Sequence, residues 1–145
     1  MINQKENYKI EEQNCKNFKD VEKLADKAAQ TLDDKEVAKI LYQKAENMAT
    51  SSEDMRYIAF SVNINLSNQE WARLLYKKSE KLASTIEDYL YLAYSIQRNL
   101  KDNEWAELLY KKAENMCSDT YDIEKLSEQV LNNPNDKEWG TFLLC

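Results

Sequence analysis

The chain has 145 residues, the length of one ordinary domain and enough to bury a real core. It holds one Gly, one Pro and no His, and 20 Lys plus Arg against 26 Asp plus Glu leave a net charge of −6. The lack of His removes the commonest general base, the Ser/His and Cys/His nucleophile pairs and most zinc sites. The scarcity of Gly leaves no phosphate loop, and the acidic balance gives no overall basic footprint for a nucleic-acid backbone.

The opening stretch, MINQKENYKIEEQNCKNF, is too polar for a signal peptide, and no apolar run approaches the ~20 residues of a membrane span. Cys15, Cys117 and Cys145 are three in number, so one stays unpaired in any disulfide scheme. A cytoplasmic chain with reduced thiols is the expectation, with no contact with a membrane. Lys, Asn, Ile and Tyr are abundant. Their codons are AT-rich, which fits a low-GC bacterial or phage genome.

In chain order, residues 1–18 carry a faint 34-residue correspondence to the next stretch of chain, with Tyr8 matching Tyr42 and Cys15 matching Ala49. They predict an N-terminal capping helix. From there the 34-residue period is plain: Glu36, Glu70, Glu104 and Glu138 align, followed by Val37, Trp71, Trp105 and Trp139. Leu41, Leu75, Leu109 and Leu143 align as well, and upstream so do Leu24, Ile58, Leu92 and Leu126. A fixed period of this size is the signature of a stacked repeat array. The predicted organisation is a single helical-repeat domain, with repeats at 19–52, 53–86 and 87–120 and a truncated repeat or cap at 121–145.

Each unit reads as two helices. In the third, Tyr89, Leu92, Ala93, Ile96 and Leu100 form one apolar stripe over Asp88 to Leu100. The second helix, about Asp102 to Cys117, is predicted to bury Trp105, Ala106, Leu108, Leu109, Ala113, Met116 and Cys117. Asp88 is predicted to cap a first helix, and Asp34, Asn68, Asp102 and Asp136 the second helices. The Trp column reads as packing between repeats rather than a stacking platform. The paired carboxylates Asp33-Asp34, Glu53-Asp54 and Glu87-Asp88 read as helix starts rather than a metal or acid/base site.

The spacing of the second helices, Ala38-Tyr42-Ala45, Ala72-Tyr76-Ser79 and Ala106-Tyr110-Ala113, resembles the tetratricopeptide repeat over about residues 20–145. The family's glycine between the two helices is absent here. The resemblance implies an all-α, short right-handed α-solenoid of helical hairpins, its concave face lined by first helices, with a role in binding other proteins.

One set of residues departs from the amphipathic rule. Tyr57, Phe60 and Ile64 lie at i, i+3 and i+7, opposite the core stripe of their helix, and Tyr91, Tyr94 and Arg98 hold the same phase one unit on. The outer units carry Lys23, Asp26, Gln30 and Lys125, Glu128, Asn132 there. Two explanations stand: an aromatic partner-binding patch edged by Arg98, or central helices sandwiched between neighbours. The expected function is non-catalytic binding of a protein partner through the central repeats, without cofactor or metal. An acidic inhibitor of the toxin-immunity or anti-CRISPR type, covering a basic nuclease, is the alternative.

Overall fold

A computed structural model describes residues 4–118 apart from Leu32, together with Glu124 and Glu128. Among the described residues the chain is all-α, with seven helices and no strand: α1 (Gln4–Gln13), α2 (Phe18–Gln30), α3 (Lys35–Met48), α4 (Ser52–Leu66), α5 (Gln69–Leu82), α6 (Ile86–Leu100) and α7 (Asn103–Met116). First helices begin at 18, 52 and 86 and second helices at 35, 69 and 103, each 34 residues after the last. No helix among the described residues is long and apolar enough to cross a membrane. The expectations for Asp136, Trp139, Leu143, Cys145, Leu126 and the last repeat lie outside the described residues.

Caps explain where the helices begin. Asn17, Asp34, Ser51, Asn68, Thr85 and Asp102 each accept, through a side-chain oxygen, the backbone N–H three residues on. Asp34, Asn68 and Asp102 therefore cap as expected. Asp88 does not: Thr85 is the cap, and Asp88 is its reciprocal partner in a capping box. An Asp three residues inside the helix satisfies the N-cap backbone N–H just as it would serve as a cap, so the helix starts earlier than its position implied. Between the two helices of each unit one residue is left-handed: Asp33 (φ 49°), Ser67 (φ 51°) and Lys101 (φ 57°), again 34 apart. These turns demand the conformation that glycine adopts most cheaply, yet are made by residues carrying a Cβ.

The chain divides into two compact units, Met1–Ser79 and Glu80–Cys145. In the first, α2 lies along α3, and α4 packs on both. Its core is the set of repeated apolar columns: Val21, Leu24 and Ala28 from α2, Ala38, Leu41, Tyr42 and Ala45 from α3, Ile58 and Val62 from α4, and Ala72, Leu75 and Tyr76 from α5, all buried. Each fully buried Leu, Ile or Val contributes about 1.5–3 kcal/mol. The unit also holds a Ser–Ser contact: the Ser79 hydroxyl donates to the Ser52 carbonyl at 2.7 Å and lies 2.9 Å from the Ser52 hydroxyl.

In the second unit α6 lies along α7. Leu90, Leu92, Ala93 and Ile96 of α6 and Ala106, Leu109, Tyr110 and Ala113 of α7 are all buried. Two expected core residues are on the surface instead, Leu108 at 59% exposure and Met116 at 40%. The cause is Tyr110. Its ring is fully buried and centres the stripe on Ala106, Tyr110 and Ala113, which turns Leu108 to the far side of the helix. Met116 is the last residue of α7.

Surface lysines join second helices at a constant interval. Lys44 pairs with Glu12 at 2.7 Å, Lys78 with Glu46, and Lys112 with Glu80 at 3.1 Å, always 32 residues apart. Each such exposed pair contributes about 0–1 kcal/mol. The pairing assigns α1 the place of a second helix, because Glu12 stands 34 residues before Glu46 and the buried Tyr8 stands 34 before Tyr42. Trp71 is half-buried and donates its indole N–H to Glu46 at 3.1 Å, so this member of the Trp column packs against the preceding second helix.

Candidate functional site

Helix α4 is apolar on two sides. Met55, Ile58, Ala59 and Val62 are buried, while Tyr57 (37%), Phe60 (45%) and Ile64 (56%) stand exposed on the other side. Spacing of three and four residues keeps these three on one face. The Arg56 guanidinium carbon lies 4.9 Å from the centroid of the Tyr57 ring, within cation–π range.

Helix α6 repeats the arrangement in the second unit. Tyr91 is 42% exposed, Tyr94 is half-buried and Arg98 is exposed. Arg98 donates to the Tyr94 hydroxyl at 2.6 Å, and its guanidinium carbon stands 5.7 Å from the ring centroid. Within each helix the expected residues are therefore brought together: Tyr57 with Phe60 and Ile64, and Tyr91 with Tyr94 and Arg98. In α2 the same phase carries Lys23 and Gln30, both exposed, and the half-buried Asp26. Glu128 is exposed, and Lys125 and Asn132 lie outside the described residues.

Large side chains that present a rigid apolar body beside a cationic head are the composition of an interface anchor. Nothing in the set is chemically reactive. Among the described residues no group of three or more Asp, Glu or Cys side chains is arranged to hold a metal ion. The Cys15 and Cys117 sulfurs donate to the carbonyls four residues back. Burial, with Asp20 nearby, pushes the Cys15 thiol up, away from the reactive thiolate.

Sequence reasoning missed a polar cluster beneath the α4 face. The buried Tyr42 hydroxyl donates to Asp26, and the Asn65 amide donates to both Asp26 (3.0 Å) and the Tyr42 oxygen (2.8 Å). Gln30 donates to the Asn65 carbonyl oxygen at 3.0 Å, and Ser61 donates to Glu22 at 3.3 Å. Burial pushes the Tyr42 phenol far above its ordinary value, and the bond to Asp26 adds to it, so the hydroxyl stays a donor. Asp26 and Asn65 occupy different phases of the repeat, so no periodic column flags them.

Glu22 is the half-buried flank of this cluster. Burial raises its carboxyl above the ordinary value of 4.5, and the Asp26 charge raises it further, against a donated bond from Ser61 and the charge of Lys19. A carboxyl whose folded pKa is raised favours folding while protonated, and that contribution is lost as pH rises through the folded value. Glu22→Gln is therefore expected to raise the melting temperature at pH 7, with the gain shrinking as pH falls toward 4.5. Melting curves of both proteins across that range check this; a gain independent of pH would assign the effect to something other than ionisation.

Comparison of the chain with family models, with curated proteins and with solved structures finds no match.

Proposed function

We propose that the chain is a non-catalytic protein-interaction module, a short tetratricopeptide-like α-solenoid that takes a protein partner on the aromatic face of its central repeats. The observation that carries this reading is the exposure of Tyr57, Phe60 and Ile64 on α4, repeated in kind by Tyr91 and Arg98 on α6. Large apolar groups gathered on one exposed helix face cost solubility and mark an interaction surface. The solenoid rests on the 34-residue recurrence of helix starts, caps and left-handed turn residues. A cytoplasmic setting with reduced thiols is part of this reading.

The net charge of −6 favours a second reading, in which acidic surface covers a basic nuclease. Salt separates the two, because the screening length falls from about 10 Å at 0.1 M to about 3 Å at 1 M. The immobilised chain is presented to a lysate of its source organism at both concentrations, beside a Tyr57→Ser/Phe60→Ser bait. An apolar anchor predicts one partner kept by wild type at high salt and lost by the double variant at either. A partner that leaves at high salt but ignores the variant speaks for the acidic inhibitor.

A further inference from the structure

Trp71 shows what belongs in the groove between successive second helices. Its indole leans on α3 and donates to the second oxygen of Glu46, whose first oxygen holds Lys78. One repeat earlier the backbone is set in the same way: the Val37 N–H is capped by Asp34 at 3.1 Å, as the Trp71 N–H is by Asn68 at 3.0 Å. Glu12 likewise holds Lys44 through its first oxygen, at 2.7 Å. But Val37 has no indole to offer. A cavity of about 220 Å³ lies there, lined by Tyr8, Lys9, Glu12, Glu36, Val37, Ile40 and Leu41. The Glu12 side chain is 30% exposed where that of Glu46 is 17%.

We infer that this cavity between α1 and α3 receives a tryptophan side chain from a protein partner, its ring against Val37, Ile40 and Leu41 and its indole N–H donated to Glu12. The occupant's chemistry is copied from the chain's own next repeat: a flat apolar ring with one N–H aimed at a carboxylate already fixed by a lysine. A ring without the N–H leaves the second Glu12 oxygen without the donor that Trp71 gives to Glu46. Ile40, 62% exposed at the rim, offers further apolar surface to the segment that bears the side chain. This site lies apart from the α4 aromatic face and does not depend on the function proposed for it.

The test is an amide-resonance titration of the full chain with N-acetyl-tryptophanamide, its 1-methylindole analogue and free indole. Saturable shifts at Tyr8, Val37, Ile40 and Leu41 are expected, with the methylated analogue about tenfold weaker, the size of one lost bond to a charged acceptor. Val37→Trp fills the cavity from within, abolishing the shifts and raising the melting temperature. Glu12→Ala makes the two capped ligands equal, and decides the matter alone if Val37→Trp fails to fold. Absence of shifts in wild type, or shifts surviving in folded Val37→Trp, overturns the inference. So does binding of free indole with the capped residue excluded, which marks a small-molecule site.

Discussion

Tyr42→Ala is expected to destabilise the first unit by about 3–5 kcal/mol, the range for removing a buried aromatic ring. The ring is fully buried among the columns of α2, α3 and α4, so its loss leaves a void that rigid helices fill only in part. The hydroxyl adds a second cost. Asp26 and Asn65 both bond to it, and without it a half-buried carboxylate loses a donor. Tyr42→Phe isolates that share: it keeps the ring and is expected to cost about 1–3 kcal/mol. Urea denaturation of the three proteins checks both figures. Equal losses in the Phe and Ala variants would mean that the polar cluster, not the packing, carries the position.

Ser79→Leu is the second large effect. Ser79 is fully buried, bonds to Ser52 of α4 and stands in the column of Ala45 and Ala113, also fully buried, so a larger side chain has no free space to enter. Overpacking costs about 1–3 kcal/mol, and the stranded Ser52 hydroxyl and carbonyl add about 1–3 kcal/mol. Ser79→Ala restores the residue of the neighbouring repeats and strands the same Ser52 groups without adding bulk, so it is expected to cost about 1–3 kcal/mol, less than Ser79→Leu by the overpacking share. The same denaturation series reads the contrast. A tolerated Leu would show that the column is small by descent and not by packing.

The repeated columns were readable because duplication states each packing position several times. Ala38, Ala72 and Ala106, or Tyr42, Tyr76 and Tyr110, agree with one another even though no single helix is decisive. What periodicity carries poorly is phase. Leu108 precedes the core residue Leu109 and repeats as faithfully, through Ile40 and Leu74, yet all three are exposed. A strict period marks equivalence, and exposure has to come from the rotation that the buried tyrosine imposes. Contacts linking different phases were invisible for a related reason: Asp26, Tyr42 and Asn65 meet in space but share no column. The α4 and α6 aromatics were legible as a departure from amphipathicity. Their exposure was not, since an apolar second face reads identically whether another helix covers it or water does.

The most direct test of the central claim is thermal unfolding of the Tyr57→Ser/Phe60→Ser/Tyr91→Ser/Tyr94→Ser variant, followed by circular dichroism. If these side chains form a surface held ready for a partner, helicity is unchanged and the cooperative transition shifts by less than about 10 °C, as substitutions of ~0.5 kcal/mol each at three exposed positions and the half-buried Tyr94 would give. Loss of the cooperative transition would place the four rings in the core and contradict the interaction surface.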